Sequence, residues 1–312
     1  MQLQHLRTLV RVVDAGGLTR AAEQLGLTQP AVTKQLNQLE RELAVKLLRR
    51  QGRGVRLTPA GEVLYHYARR LIHLAEQAED AVHALYEPGH GEVRLGAVST
   101  VGLTALPTVL ARFSARYPLV KVRVQMAEIQ ENVDRLLQGD LELALVTVPV
   151  AHPQIVSLPL YPDPVVLVAS PETAARLRLP LPPDVVSSLD QISYQAPSRF
   201  RSFVDGMLEQ HGILPRVIME FNSHEAIRAM VELGLGVAFM PRSVVRADLE
   251  AGRLAVLPVE GLAPMVRVTS LLLPVDGHPT PSLSHMVETL GSLWPIARES
   301  LPAWIRHPDP TP

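Results

Sequence analysis

A chain of 312 residues has room for two or three compact domains, and 47% apolar with 20% charged residues is the mix of a folded globular protein. The net charge of -1 hides two opposed parts: residues 1–60 hold ten Lys and Arg against four Asp and Glu, the remainder 20 against 27, the balance of a polyanion-binding head on an acidic body. The absence of cysteine excludes a disulfide framework or thiolate metal site, no run of 18 apolar residues exists to cross a membrane, and the polar start Met1–Val10 lacks a leader's apolar core, so the expected compartment is the cytoplasm.

In chain order, Leu3, Leu6, Leu9, Val10 and Val13 recur at helical spacing until Asp14-Ala15-Gly16-Gly17 ends the first helix. Thr19 is expected to cap a second helix, whose small Ala21 and Ala22 let a neighbour approach closely, and Gly26 supplies a turn. Thr28 caps a third helix, with Pro30 in its first turn and Val32, Leu36, Leu39 and Leu43 as its buried stripe. Residues 47–57 read as two short strands around Gln51-Gly52-Arg53-Gly54, a basic hairpin or wing. A long helix opens at Thr58-Pro59, and in it Leu64, Ala68, Leu71, Ala75, Ala78, Val82 and Leu85 are spaced 4, 3, 4, 3, 4, 3. That heptad seam should pack on a copy of itself or on its own body. Glu87-Pro88-Gly89-His90-Gly91 then breaks the helix as a hinge.

Beyond the hinge, strand-like Val93–Val98, Val122–Met126 and Leu141–Val148 alternate with helices near 103–117 and 129–138, a parallel βαβαβ unit. Strands near 165–169, 192–194, 217–221 and 237–240, with helices near 200–211, 224–233 and 243–251, form a second α/β lobe. A strand at 268–273 and a helix at 282–294 return to complete the first lobe, and the proline-rich tail 301–312 is expected to fray.

Gln29, Thr33 and Asn37 fall at i, i+4, i+8 on the face of the third helix opposite its apolar stripe, with Lys34 beside them. Gln and Asn can pair bidentately with adenine, Thr can touch a thymine methyl, and Lys can reach guanine or phosphate. The same stripe also fits an ordinary solvated helix face. The arginines at 49, 50, 53 and 56 favour double-stranded DNA, because a basic wing beside a polar helix has little structural purpose.

These residues resemble the LysR-type family of bacterial transcriptional regulators. The matching runs are Ala21-Ala22-Glu23-Gln24-Leu25, Thr28 through Leu36, Leu39-Glu40 and Leu57-Thr58-Pro59-Ala60-Gly61. The likeness continues through Arg94-Leu95-Gly96, Leu106-Pro107, Phe113, Tyr117-Pro118, residues 139–145 and residues 231–241, about 300 residues in all. Ala44 and Leu48 stand where the family usually has Gly and Phe, and Glu142 where it usually has Asp. The resemblance implies that Gln29, Pro30, Thr33 and Lys34 contact the major groove and Arg53 the minor groove. The implied fold is multidomain: an all-α winged helix-turn-helix with a long linker helix, plus a two-lobed α/β periplasmic-binding-protein-like effector domain. The division is 1–60 for the DNA-binding domain, 61–87 for the dimerising linker and 88–300 for the effector domain (lobes 91–160 plus 266–300, and 161–265), followed by the tail 301–312. The implied partners are promoter DNA, a small-molecule effector, a second copy or a tetramer, and RNA polymerase.

A cleft between two α/β lobes places ligand at the carboxyl ends of strands. Ser99 and Thr100 follow the first strand, Thr147 ends the third, Ser198 and Arg199 open a helix, and Asn222 ends another strand, so these six are the candidate effector residues. The arginine makes an organic anion the leading ligand class, although helix capping and solvated surface account for each residue singly. Gly234-Leu235-Gly236 reads as a helix end, and His66 and His73 as flanks of the seam. No nucleophile elbow, phosphate loop or zinc signature is present, so neither catalysis nor a cofactor is expected. Two other readings remain open: a ligand-independent architectural DNA binder, and a solute-binding or enzymatic module in residues 92–300.

Overall fold

The computed structural model describes residues 1–51, 54–86, 90–277 and 280–306. Three helices, α1 (Leu3–Asp14), α2 (Leu18–Leu25) and α3 (Gln29–Leu43), pack around one apolar cluster. Leu6, Leu9 and Val12 of α1 meet Ala21 and Ala22 of α2 and Val32, Leu36 and Leu39 of α3. Gly26, at φ +64°, makes the left-handed turn between α2 and α3. The Thr28 hydroxyl accepts from the Ala31 N–H at 3.4 Å, capping α3 as its sequence predicts. Thr19 does not cap α2: the helix starts one residue earlier, from an extended Gly17, and the Thr19 hydroxyl lies 3.5 Å from Gln29 Oε1.

The wing strands β1 (Leu48–Gln51) and β2 (Gly54–Leu57) are antiparallel, with Arg49 opposite Arg56. Glu40 braces their entry, because its carboxylate accepts from the Leu47 N–H at 2.9 Å, the Leu48 N–H at 3.3 Å and Lys46 Nζ at 2.6 Å. Burial works against ionisation of Glu40, yet these donors hold it below the usual carboxylate range. Thr58 then joins the wing to α4 (Pro59–Tyr86): its hydroxyl donates to the Lys46 carbonyl at 2.7 Å and accepts from the Gly61 N–H at 3.0 Å. A Cβ at Gly61 would stand 2.0 Å from the Leu47 carbonyl oxygen, which explains the glycine of the Thr-Pro-Ala-Gly run.

The heptad seam of α4 divides. Ala68 is fully buried and Leu64 packs beside it on the head cluster, whereas Leu71 and Val82 are 40% and 56% exposed and Ala78 is exposed too. The Leu85 side chain lies outside the described residues.

The body begins with β3 (Gly91–Ala97), α5 (Ser99–Thr104), α6 (Leu106–Arg116), β4 (Val120–Met126), α7 (Ile129–Gln138) and β5 (Leu143–Val146). The single helix expected at 103–117 is thus two, the second with Pro107 in its first turn. Strand β3 pairs in parallel with both β4 and β5, the βαβαβ unit read from the sequence. A 15-residue strand, β6 (Ile155–Ala169), leads out of this lobe. Then come α8 (Pro171–Ala175), α9 (Pro183–Ser188), β7 (Asp190–Tyr194), α10 (Arg199–Gln210), β8 (Arg216–Phe221), α11 (His224–Glu232), β9 (Ala238–Pro241), α12 (Arg242–Glu250) and β10 (Ala255–Val256). Finally β11 (Val266–Pro274), α13 (Pro281–Leu293) and the short α14 (Ala303–Arg306) return to the first lobe. Strands run β10-β6-β11-β5-β3-β4, with β9 also on β6, while β7 and β8 form a parallel pair.

Three apolar clusters fill the body. Leu95, Phe113, Leu143, Leu271 and Leu290 centre the first lobe; Leu167, Leu208 and Phe239 form one core of the second, and Ile192, Ile227 and Met240 the other. Strand β6 gives Leu158 to the first lobe and Leu167 to the second, and β11 runs antiparallel beside it over Ile155–Pro164. The tail departs from expectation: Trp304 packs on the first lobe and its Nε1–H donates to the Pro274 and Val275 carbonyls at 3.2 and 3.0 Å, so residues up to Arg306 are held. Residues 307–312 lie outside the described set.

One polar chain ties head, linker and body together. The Tyr65 hydroxyl donates to Asp14 at 2.5 Å, Arg69 donates to Tyr65 Oη at 2.9 Å, and Arg69 also pairs with Asp140 just beyond α7. Burial, then the Asp14 hydrogen bond, pushes the Tyr65 phenol up to about 12 and keeps it a donor. A second tie joins Arg94 of β3 to His73 and, at 3.5 Å, to Glu76 of α4.

Candidate functional site

The outer face of α3 gathers the residues singled out from the sequence. Gln29, Pro30, Lys34 and Asn37 are exposed and Thr33 is half-buried; with Arg41 they line one open, shallow surface of the head. The opposite face of the same helix is fixed by Val32, Leu36 and Leu39, so the polar stripe has one orientation relative to the fold. Arg41 Nε donates to the Asn37 carbonyl at 3.2 Å and keeps a cation at the C-terminal end of the stripe. Arg49 and Arg56 are exposed on the wing. The Arg50 side chain and Arg53 lie outside the described residues. A convex helix with amide, hydroxyl and ammonium groups on its outer face, flanked by exposed arginines, has the shape and donor set for the major groove of B-DNA.

The other six sequence candidates converge as well. Ser99, Thr100, Thr147, Ser198, Arg199 and Asn222 all line one cavity of about 160 Å³ where the two lobes face each other. Ser99, Arg199 and Asn222 are exposed at its mouth, while Thr100 and Thr147 are buried in it. The Ser198 hydroxyl caps α10 by accepting from the Arg201 N–H at 3.3 Å. Arg201 itself turns away to Asp205 and Glu220.

Sequence reasoning missed the inner wall of this cavity, which Tyr194, His224, Phe200 and Arg267 build. Thr100 Oγ1 lies 2.9 Å from His224 Nε2, and His224 Nδ1 lies 2.6 Å from the Tyr194 hydroxyl. Burial, reinforced by the Arg267 charge, lowers His224 from 6.5 to about 4, so the imidazole is neutral at physiological pH. Burial also drives the Tyr194 phenol far above its ordinary value. Arg267 lies directly across the strand pair from Asp163 and donates to it at 2.9 Å, with both side chains 4% exposed. Asp163 further accepts from the Ser243 N–H at 3.1 Å and hydroxyl at 2.8 Å, while the guanidinium sits 4.8 Å from the centre of the Phe200 ring. The available signal was Arg267 itself, a charge inside the strand run Val266-Arg267-Val268-Thr269.

A larger cavity of about 320 Å³ separates α4 from the first lobe, with Leu71, Leu74, Leu136, Leu141 and Trp304 among its walls. It is mainly apolar, whereas the smaller interlobe cavity has the converging polar groups of a recognition site. Gly234, at φ +75°, ends α11 as its sequence predicts, and His73 serves as a partner of Arg94. Among the described residues no group of three or more His, Asp or Glu is placed to hold a metal ion, and no helix is long and apolar enough to cross a membrane.

Two family models match. Residues 3–62 match the bacterial regulatory helix-turn-helix protein model of the lysR family, and residues 86–294 match the LysR substrate binding domain. The HTH-type transcriptional regulator CbbR of Rhodospirillum rubrum is 31% identical over 291 residues, 92% of this chain and 96% of that protein. The HTH-type transcriptional regulator GltR of Bacillus subtilis is 30% identical over 81% of this chain and 84% of its own. Among solved structures, full-length CbnR complexed with its target DNA superposes with a TM-score of 0.68 at 24% identity, covering 96% of this chain and 100% of that one, a likeness of fold.

Proposed function

This chain belongs to the LysR family of bacterial transcriptional regulators, and we propose that within it Gln29, Thr33, Lys34 and Asn37 read base edges in the major groove while Pro30 sets the approach of α3. The observation that carries this is the single orientation of the polar stripe, locked by the buried face of the same helix. Arg53 is assigned to the minor groove on the family resemblance alone. The domain division is that of the sequence: DNA-binding head 1–60, linker 61–87, effector domain 88–300 and tail 301–312. Self-association as a dimer or tetramer runs through the rest of the α4 seam, the exposed Leu71, Ala78 and Val82 with the half-buried Ala75 and with Leu85, while Leu64 and Ala68 also pack on the head. The regulator acts in the cytoplasm on chromosomal promoters, contacts RNA polymerase there and catalyses no reaction.

The effector is a small organic anion held between the lobes by Ser99, Thr100, Thr147, Ser198, Arg199 and Asn222. The convergence of all six on one cavity beside the buried Arg267 supports this reading. Footprinting tests the DNA assignment: Gln29→Ala and Thr33→Ala are expected to cost about 1–3 kcal/mol on the preferred site and to leave non-specific binding intact. Unchanged sequence preference in both variants would remove the recognition-helix assignment. A broad metabolite panel tests the effector: a compound that raises the melting temperature and alters the footprint supports ligand control, and none doing so supports an architectural DNA binder.

A further inference from the structure

One cation on the outer face of α3 has no part in the base-reading assignment. Arg41 is exposed in the last turn of the helix and lines the same open surface as Gln29, Pro30, Thr33, Lys34 and Asn37. The family resemblance implies contacts at Gln29, Pro30, Thr33, Lys34 and Arg53 and leaves Arg41 without a role. A guanidinium carries five N–H donors. One is used within the helix, on the Asn37 carbonyl at 3.2 Å. Among the described residues no carboxylate pairs with the rest, and the flanking acids are turned elsewhere. Glu40 serves the wing through Lys46 Nζ and the Leu47 and Leu48 N–H groups, and Glu42 accepts from Gln38 Nε2 at 3.0 Å and pairs with the Met1 ammonium at 2.8 Å.

Position along the helix decides which part of a duplex this cation meets. At about 100° per residue, Arg41 lies roughly 20° around the axis from both Pro30 and Lys34, so it projects on their side of α3. At about 1.5 Å per residue it stands about 18 Å along the axis from Gln29 and about 6 Å beyond Asn37. The major groove is about 12 Å wide and about 8.5 Å deep, and the N-terminal residues of a recognition helix are the ones that reach its floor. Arg41 therefore stands outside the groove, at the level of the sugar–phosphate rim, where a guanidinium fork meets phosphate oxygens and not base edges. The competing role for this residue is that of a stabilising cation at a helix C-terminus. That role concerns the helix alone and leaves the salt dependence of DNA binding untouched.

Building on the recognition-helix reading above, we infer that Arg41 is a phosphate anchor: it grips the DNA backbone at the rim of the major groove and seats α3 there, adding affinity for any duplex and no base preference.

Anisotropy titrations of the full chain test this on a fluorescent duplex carrying the footprinted site and on an unrelated duplex, between about 50 and 200 mM salt. Melting temperature is the check on folding. Arg41→Gln is expected to weaken both duplexes alike, roughly two- to tenfold, and to reduce the slope of log K against log salt by about 0.9, the value of one phosphate contact. Arg41→Lys keeps the charge and should keep the slope. A walk of single neutral methylphosphonates along the site should find a rim phosphate whose neutralisation weakens the wild-type protein and leaves Arg41→Gln unaffected. An unchanged slope in Arg41→Gln, a loss confined to the footprinted site, or no phosphate whose effect depends on Arg41 overturns the inference. Should Gln29→Ala and Thr33→Ala lose sequence preference while the slope of Arg41→Gln stays at the wild-type value, the anchor falls and the recognition helix stands; if all three variants match the wild type, both fall.

Discussion

Replacing Asp163 by Leu should be among the most damaging single changes in the body of this protein. The substitution leaves the Arg267 guanidinium, 4% exposed, without a counterion and strips the Ser243 N–H and hydroxyl of their acceptor. Removing one partner of a buried ion pair costs about 3–5 kcal/mol, because the surviving charge cannot be rehydrated. Replacing both, Asp163→Leu with Arg267→Met, removes that stranded charge, and the remaining cost is the unsatisfied Ser243 donors, about 1–2 kcal/mol. The double variant is therefore expected to be more stable than the Asp163→Leu single by about 2 kcal/mol or more. Urea unfolding followed through tryptophan fluorescence suits the measurement, since Trp294 lies 4.7 Å, ring to ring, from Tyr161, two residues before Asp163 on β6. The chain holds several cores, so each transition midpoint is compared with its own wild-type value. A single variant less than 1 kcal/mol below wild type, or a double variant no better than the single, would refute the stranded-charge argument.

Other expectations are as direct. Ala44 holds φ +54°, a left-handed conformation costing an alanine about 1–2 kcal/mol, so Ala44→Gly should stabilise the head by roughly 0.5–1 kcal/mol after the glycine's greater unfolded freedom is counted, read from thermal melts. Gly61→Ala drives a methyl into the Leu47 carbonyl and should cost the head about 1–3 kcal/mol, visible as weaker DNA binding at a raised temperature. His224 is neutral in the fold down to about pH 4 by burial and then Arg267, whereas the unfolded chain protonates it near 6.5. The unfolded state thus binds more protons across that window, and stability falls as pH drops from 6.5 to 4, by up to about 3 kcal/mol from this group. His224→Gln should flatten that part of the stability profile, and an unchanged profile would contradict the neutral imidazole.

Much of the architecture was legible because its signals are local. The three head helices, the wing and the βαβαβ unit each rest on spacings of 2 or 3.6 residues and on caps such as Thr28. Where the reading failed, the deciding contact lay elsewhere in the chain. Strand β6 was read only from Val165, yet it runs from Ile155: Pro159, Pro162 and Pro164, residues that seldom enter a ladder, lie opposite Ser270, Val268 and Val266 of β11, whose register shifts between Thr269 and Ser270. Trp304 sits among prolines that suggested a loose end, and only the first lobe's surface explains why it stays. The six cleft candidates were found because each stands at a strand end or a helix start, positions with a fold-level meaning. Tyr194, His224 and Arg267 share no spacing at all, being brought together by three separate returns of the chain across the cleft.

The polar chain from Asp14 through Tyr65 and Arg69 to Asp140 also has a mechanical meaning. It fastens the head at one end of a 28-residue helix and the first lobe along its side, so the helix is a rod of about 42 Å. Tilting such a rod by only about 5° carries its tip nearly 4 Å, close to the roughly 3.4 Å rise of one base pair. Leverage of this kind turns an angular adjustment too small to disturb any core into a whole step along a double helix.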